Sequence, residues 1–103
     1  MKIRKMTNQE DMYGTSFHNG TITATTNELI AEFGKCDYYQ PNDEYEKVTR
    51  EWDLELEDGT PFTIYDWKEY RVYDDEVVIE WHIGTRNKED STKVVRALKK
   101  IGF

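Results

Sequence analysis

A chain of 103 residues, 37% hydrophobic and 34% charged, is long enough for one domain with one modest core. Fourteen aromatics, three of them tryptophans, can fill that core without metal or disulfide, and Cys36, the single cysteine, excludes an internal disulfide and fits a reducing cytoplasm. The net charge of -7 argues against binding nucleic acid through a broad basic surface, and no run approaches the roughly 18 apolar residues of a membrane span.

Residues 1–6 alternate weakly and predict a short edge strand. The basic start is followed by no apolar stretch, so no signal peptide is expected. Tyr13-Gly14 and Asn19-Gly20 are turn signals. Thr15-Ser16-Phe17-His18 and Thr21-Ile22-Thr23-Ala24-Thr25 predict two strands joined by Asn19-Gly20 as a two-residue hairpin loop, since both residues tolerate positive φ. Thr25 then opens a short helix over about residues 27–33. Glu28 completes a capping box, Leu29, Ile30 and Phe33 form the apolar stripe, and Gly34 suits the C′ position. Residues 36–47 read as an acidic loop containing Pro41 and the tyrosines 38, 39 and 45. It is either a solvated connection or a flap over a site.

From Val48 the alternation is strict: Arg50, Trp52, Leu54 and Leu56 point one way, and Thr49, Glu51, Asp53, Glu55 and Glu57 the other. The return strand is Pro61 to Trp67. A three-residue loop, Glu57-Asp58-Gly59, with Gly59 left-handed at a bulge, pairs Leu54 with Phe62 and Trp52 with Ile64 and sets Arg50 opposite Asp66. A two-residue loop would pair Leu54 with Thr63 and mix the faces, so the longer loop is predicted. Tyr65 and Trp67 then share the non-core face with Glu51 and Asp53. A strand over 77–83 presents Val77, Ile79, Trp81 and Ile83 to the core and Val78, Glu80 and His82 to the other side, and Gly84 ends it. Asp90-Ser91 caps a closing helix with Val94, Val95, Leu98 and Ile101 as its apolar stripe. Lys93, Arg96, Lys99 and Lys100 load its C-terminal half, and Gly102 stops it.

These elements predict one α+β domain over residues 1–103: an antiparallel sheet of four to five strands, with the short first helix and the C-terminal helix on its core face. The second face collects Tyr65, Trp67, Glu80 and His82, with Lys68, Tyr70 and Arg71 just beyond the strand end. Aromatic rings stack on planar groups, and Lys or Arg pairs with phosphate or carboxylate, so this mixture suits a small anionic, nucleotide-like ligand. The competing reading has the first helix or the tyrosine loop covering this face, with Trp67 structural. The acidic residues Glu51, Asp53, Glu55, Glu57 and Asp58 read as a solvated strand face, or alternatively as a nucleic-acid-mimicking strip that binds a host protein. His82 beside Glu80 invites an acid–base role. The sequence has no histidine pair at metal spacing, no cysteine pair and no phosphate-cradling glycine loop, so neither metal nor cofactor is expected.

Glu57-Asp58-Gly59-Thr60, then Thr63 to Arg71, then Glu80-Trp81-His82-Ile83-Gly84 resemble a family of small uncharacterised bacteriophage proteins with the pattern EDGT…YDWK-YR…WHIGG. The resemblance covers roughly residues 33–84, and Thr85 stands where the family usually has a second glycine. It implies a phage protein acting in the host cytoplasm, with an anti-defence role. That role would be met by a non-enzymatic binder that sequesters a nucleotide signal through Tyr65, Trp67, Lys68, Tyr70, Arg71 and His82, or by an inhibitor of a host defence protein. A homo-oligomer is left open.

Overall fold

A computed structural model describes residues 2–39, 48–67 and 74–103. One antiparallel sheet is built from β1 (Ile3–Lys5), β2 (Ser16–Thr25), β3 (Tyr38–Tyr39), β4 (Arg50–Leu56), β5 (Pro61–Tyr65) and β6 (Val78–Thr85), with α1 (Thr26–Phe33) and α2 (Lys88–Lys100) beside it. The order is β1-β4-β5-β6-β2, and β3 also pairs with β4. The sheet thus has six strands rather than four or five, because Tyr38 and Tyr39 pair with Glu51 and Arg50. The rest of the tyrosine loop, residues 40–47, lies outside the described residues.

The β4–β5 register is the one charge and pattern demand: Leu54 faces Phe62, Trp52 faces Ile64, and Gly59 has φ 90°. One period-two face therefore buries Trp52, Leu54, Phe62, Ile64, Trp81 and Ile83, all at most 1% exposed. Leu29 and Phe33 of α1 and Val94, Ala97 and Leu98 of α2 join the same core, so both helices cover this side. Trp52 and Trp81 meet edge to face at 5.5 Å. Each indole N–H reaches a carbonyl, that of Gly34 at 2.8 Å and that of Ala24 at 3.0 Å, which satisfies the polar edge of a buried ring. Among the expected core residues of the third long strand, Ile79 is only partly buried and Val77 is exposed, because β6 begins at Val78.

Helix α1 starts and stops as its caps dictate: the Thr25–Glu28 capping box is complete, and Gly34 closes it at φ 81°. Helix α2 begins earlier than expected. Asn87, not Asp90, is the N-cap and accepts the Asp90 N–H at 2.8 Å. Asp90 then lies in the first turn, where its charge suits the helix dipole, and Ser91 is buried.

The predicted N-terminal hairpin is corrected. Residues 16–25 form one strand, not two, because β6 pairs with it on both sides of Asn19-Gly20. Asn19 does take a left-handed conformation, φ 69°, but it serves a bulge. The register passes from Phe17↔Gly84 to Thr21↔His82, four residues advancing against two. Gly20 is required there by close approach, since a Cβ would stand 2.4 Å from the Ser91 hydroxyl.

Candidate ligand-binding face

On the face away from both helices, register alone brings the expected aromatic residues together. Glu51 pairs with Tyr65, Tyr65 with His82, and His82 with Thr21, a continuous row across β4, β5, β6 and β2. Tyr65 lies 5.6 Å from His82 and 6.3 Å from Trp67, edge-on in both cases. Trp67 lies near-parallel to the His82 ring at 6.0 Å. Phe17 stacks on the same imidazole at 4.0 Å. Gly84, two pairs further along, makes room for this cluster: a Cβ would meet the Thr63 hydroxyl at 2.4 Å and the Tyr65 ring at 3.3 Å.

Trp67 is 38% exposed. Helix α1 packs on the opposite side of the sheet and does not cover it. Lys68, Tyr70 and Arg71, the other expected ligand contacts, lie outside the described residues. Beside the cluster is a cleft of about 350 Å³, lined by the segment from Met12 to Ser16 and by Glu51, Thr63, Tyr65 and Trp67.

The acidic stripe is corrected as well. Asp53 is 3% and Glu55 4% exposed, so the middle of the stripe is not solvated, whereas Glu57 and Asp58 at its end are exposed as expected; the N-terminal segment covers Glu55. Glu55 accepts from the Thr7 N–H at 2.6 Å, the Thr7 hydroxyl at 2.9 Å and the Arg4 guanidinium at 2.8 Å, and these bonds hold its carboxyl below the usual range. Asp37 accepts the Asp53 N–H at 2.8 Å and the Lys5 ammonium at 3.0 Å.

Glu51 differs. Burial first, then a hydrogen bond to Asp53 and the charges of Asp53 and Asp37, push it up to about 8, so its carboxyl is protonated at neutral pH. That proton is the donor available to Asp53 Oδ1, which is buried and otherwise without a partner among the described residues. Two acids this close cannot both ionise cheaply. A consequence for stability follows. The folded form holds this proton between the ordinary carboxyl value of 4.5 and about 8, whereas the unfolded chain has lost it. Stability therefore falls as pH rises through that interval. Glu51→Gln keeps a donor toward Asp53 and cannot titrate. Urea unfolding from about pH 5 to 9 should show a downward slope in the native protein that is reduced in the variant; equal slopes would refute a protonated Glu51.

Burial lowers the pKa of His82 against the opposing pull of Glu80. The stacked imidazole is therefore neutral near pH 7, and its contribution to stability is lost as pH falls below the ordinary histidine range. Burial raises the Tyr65 hydroxyl, and Glu51 adds to the rise, so it remains a neutral donor. Burial also raises the Cys36 thiol, which disfavours the thiolate a nucleophile needs. No group of three or more His, Cys, Asp or Glu among the described residues could hold a metal ion.

Phe17 and the protonated state of Glu51 escaped the sequence reading. The bulge shifts the position of Phe17 relative to β6, and a two-residue shift cannot be counted from the alternation of β2 alone. The proximity of Glu51 to Tyr65 was contained in the register; its protonation depends on burial by residues distant in sequence.

Fold and face together define a small α+β sheet domain with helices on one side and an aromatic, partly protonated acidic surface on the other. The chain matches no protein-family model, no curated protein and no solved structure.

Proposed function

We propose that the protein is a non-enzymatic binder of a small, anionic, nucleotide-like ligand, whose planar ring stacks on the Trp67 side of the aromatic cluster. The observation that carries this reading is the convergence of Phe17, Tyr65, Trp67 and His82 on one sheet face beside an open cleft. Stacking of a base on an aromatic side chain contributes about 1–3 kcal/mol. The neutral carboxyl of Glu51 and the Thr63 hydroxyl supply polar groups at the cleft wall without placing a full charge against an anion. The expectation that Lys68 and Arg71 pair with phosphate rests on their position in the sequence, directly after Trp67. In the phage setting implied by the family resemblance, sequestering a host nucleotide signal is the anti-defence role, exercised in the host cytoplasm. The alternative of an acidic strip mimicking nucleic acid is weaker: Asp53 and Glu55 are buried and the Glu51 carboxyl is pushed up to about 8, which leaves Glu57 and Asp58 as its exposed charges.

The tryptophans allow a direct test. Trp52 and Trp81 are fully buried and Trp67 is exposed, so stacking should quench the Trp67 emission. In a screen of nucleotides and cyclic dinucleotides, the ligand that raises the melting temperature should also quench fluorescence. Trp67→Ala should abolish the quenching and weaken binding about 5- to 150-fold, the loss of one stacked base. Undiminished affinity of that variant by calorimetry would remove the stacking role.

A further inference from the structure

Helix α2 carries Lys88, Lys93, Arg96, Lys99 and Lys100 in a chain of net charge -7. Lys93 pairs with Asp58 at 3.0 Å; the other four make no ion pair among the described residues. Those four line a groove of about 680 Å³ between α2 and β2. At a rise of 1.5 Å per residue, Lys88 to Lys100 spans about 18 Å, the length of a strand of about five or six residues.

The other wall is the bulge of β2, His18-Asn19-Gly20. Strand β2 stands at the end of the sheet order, so its outer edge faces no other strand among the described residues. The three bulge residues have no register partner on β6 either. Gly20 brings the strand tight against Ser91 of α2, and both residues line the groove. Val95 lies on the helix wall and makes part of the lining apolar. An open edge strand beside a helix is the geometry in which an extended peptide adds as a further strand, its main chain bonding the edge and its alternate side chains meeting the helix.

We propose that the α2–β2 groove binds an extended acidic peptide segment of a partner protein. Its main chain lies along the outer edge of β2, its Asp or Glu side chains meet Lys88, Arg96, Lys99 and Lys100, and an intervening apolar side chain rests on Val95. Charge complementarity selects the partner's sign, and a second copy of β2 is disfavoured because it would bring two cationic helices together. A single-stranded nucleic acid fits less well: among the described residues the only ring lining the groove is His18, where such binders set several aromatics along a basic channel. The groove and the aromatic cluster occupy opposite sides of the sheet, so this inference does not depend on the ligand reading above.

The test uses the full chain and a fluorescein-labelled, capped nonapeptide alternating glutamate and valine. Binding by anisotropy should weaken as salt is raised. Amide shifts should concentrate at His18, Asn19 and Gly20 and along α2. The Arg96→Glu/Lys99→Glu double variant should bind at least about tenfold more weakly, as expected when like charges replace complementary ones, while its far-ultraviolet circular dichroism and cooperative melting show that it remains folded despite the less favourable helix dipole. A lysine–valine peptide should not bind, and a backbone N-methylated acidic peptide should bind poorly. No binding at millimolar peptide, indifference to the charge reversals, or equal binding of the N-methylated peptide would each overturn the proposal. Tighter binding of an oligothymidylate at the same residues would overturn it in favour of a phosphate backbone.

Discussion

Asp66→Ala is expected to destabilise the fold by about 3–5 kcal/mol, because each buried donor left without its acceptor costs about 1–3 kcal/mol. Asp66 is 3% exposed. Its Oδ1 accepts the Thr49 N–H at 2.8 Å and the Arg50 N–H at 3.0 Å, and its Oδ2 accepts the Thr49 hydroxyl. One carboxylate thus fastens the start of β4 to the end of β5, and the ion expected opposite Arg50 bonds the Arg50 main chain. The Arg50 side chain turns elsewhere, donating to the Thr26 hydroxyl at 2.9 Å and to Asp75 at 3.1 Å. Asp66 also immediately precedes Trp67, so its loss should loosen the aromatic face. Equilibrium urea unfolding gives the energy. Asp66→Asn, which keeps one carbonyl oxygen in place, should cost distinctly less than the alanine variant. An alanine variant within about 1 kcal/mol of the native protein would show that water replaces the carboxylate at this site.

A second large effect is expected at Trp81. Truncating a buried tryptophan to alanine costs about 3–5 kcal/mol through lost transfer energy and the cavity left behind. A domain of this size has about 5–15 kcal/mol in all. Trp81 is fully buried against Trp52, and its N–H is bonded to the Ala24 carbonyl, so the variant loses both the packing and this hydrogen bond. Trp81→Phe should recover most of the packing but not the hydrogen bond, and should fall between the two. Thermal unfolding followed at the remaining tryptophans orders the three proteins. A phenylalanine variant as unstable as the alanine variant would place the hydrogen bond above the packing.

The contrast between these two residues separates what is local from what is not. The sequence by itself determined the long strands, the Leu54–Phe62 register, the left-handed Gly59 and the capping box of α1, because each follows from a period of two, a turn residue or a cap spacing within about ten residues. That register in turn put Tyr65 and Trp67 on the non-core face. Tertiary structure alone decided that β2 is one bulged strand, because the partner that makes it continuous, β6, is about sixty residues away in the chain. It also decided that Asp53 and Glu55 are buried, since Arg4 and Thr7 reach Glu55 from the N-terminus and the Met6 and Asp37 segments bond the Asp53 main chain. The proton on Glu51 has the same origin: its pKa is set by burial and by neighbouring charges, which depend on the surrounding packing rather than on residue spacing along β4.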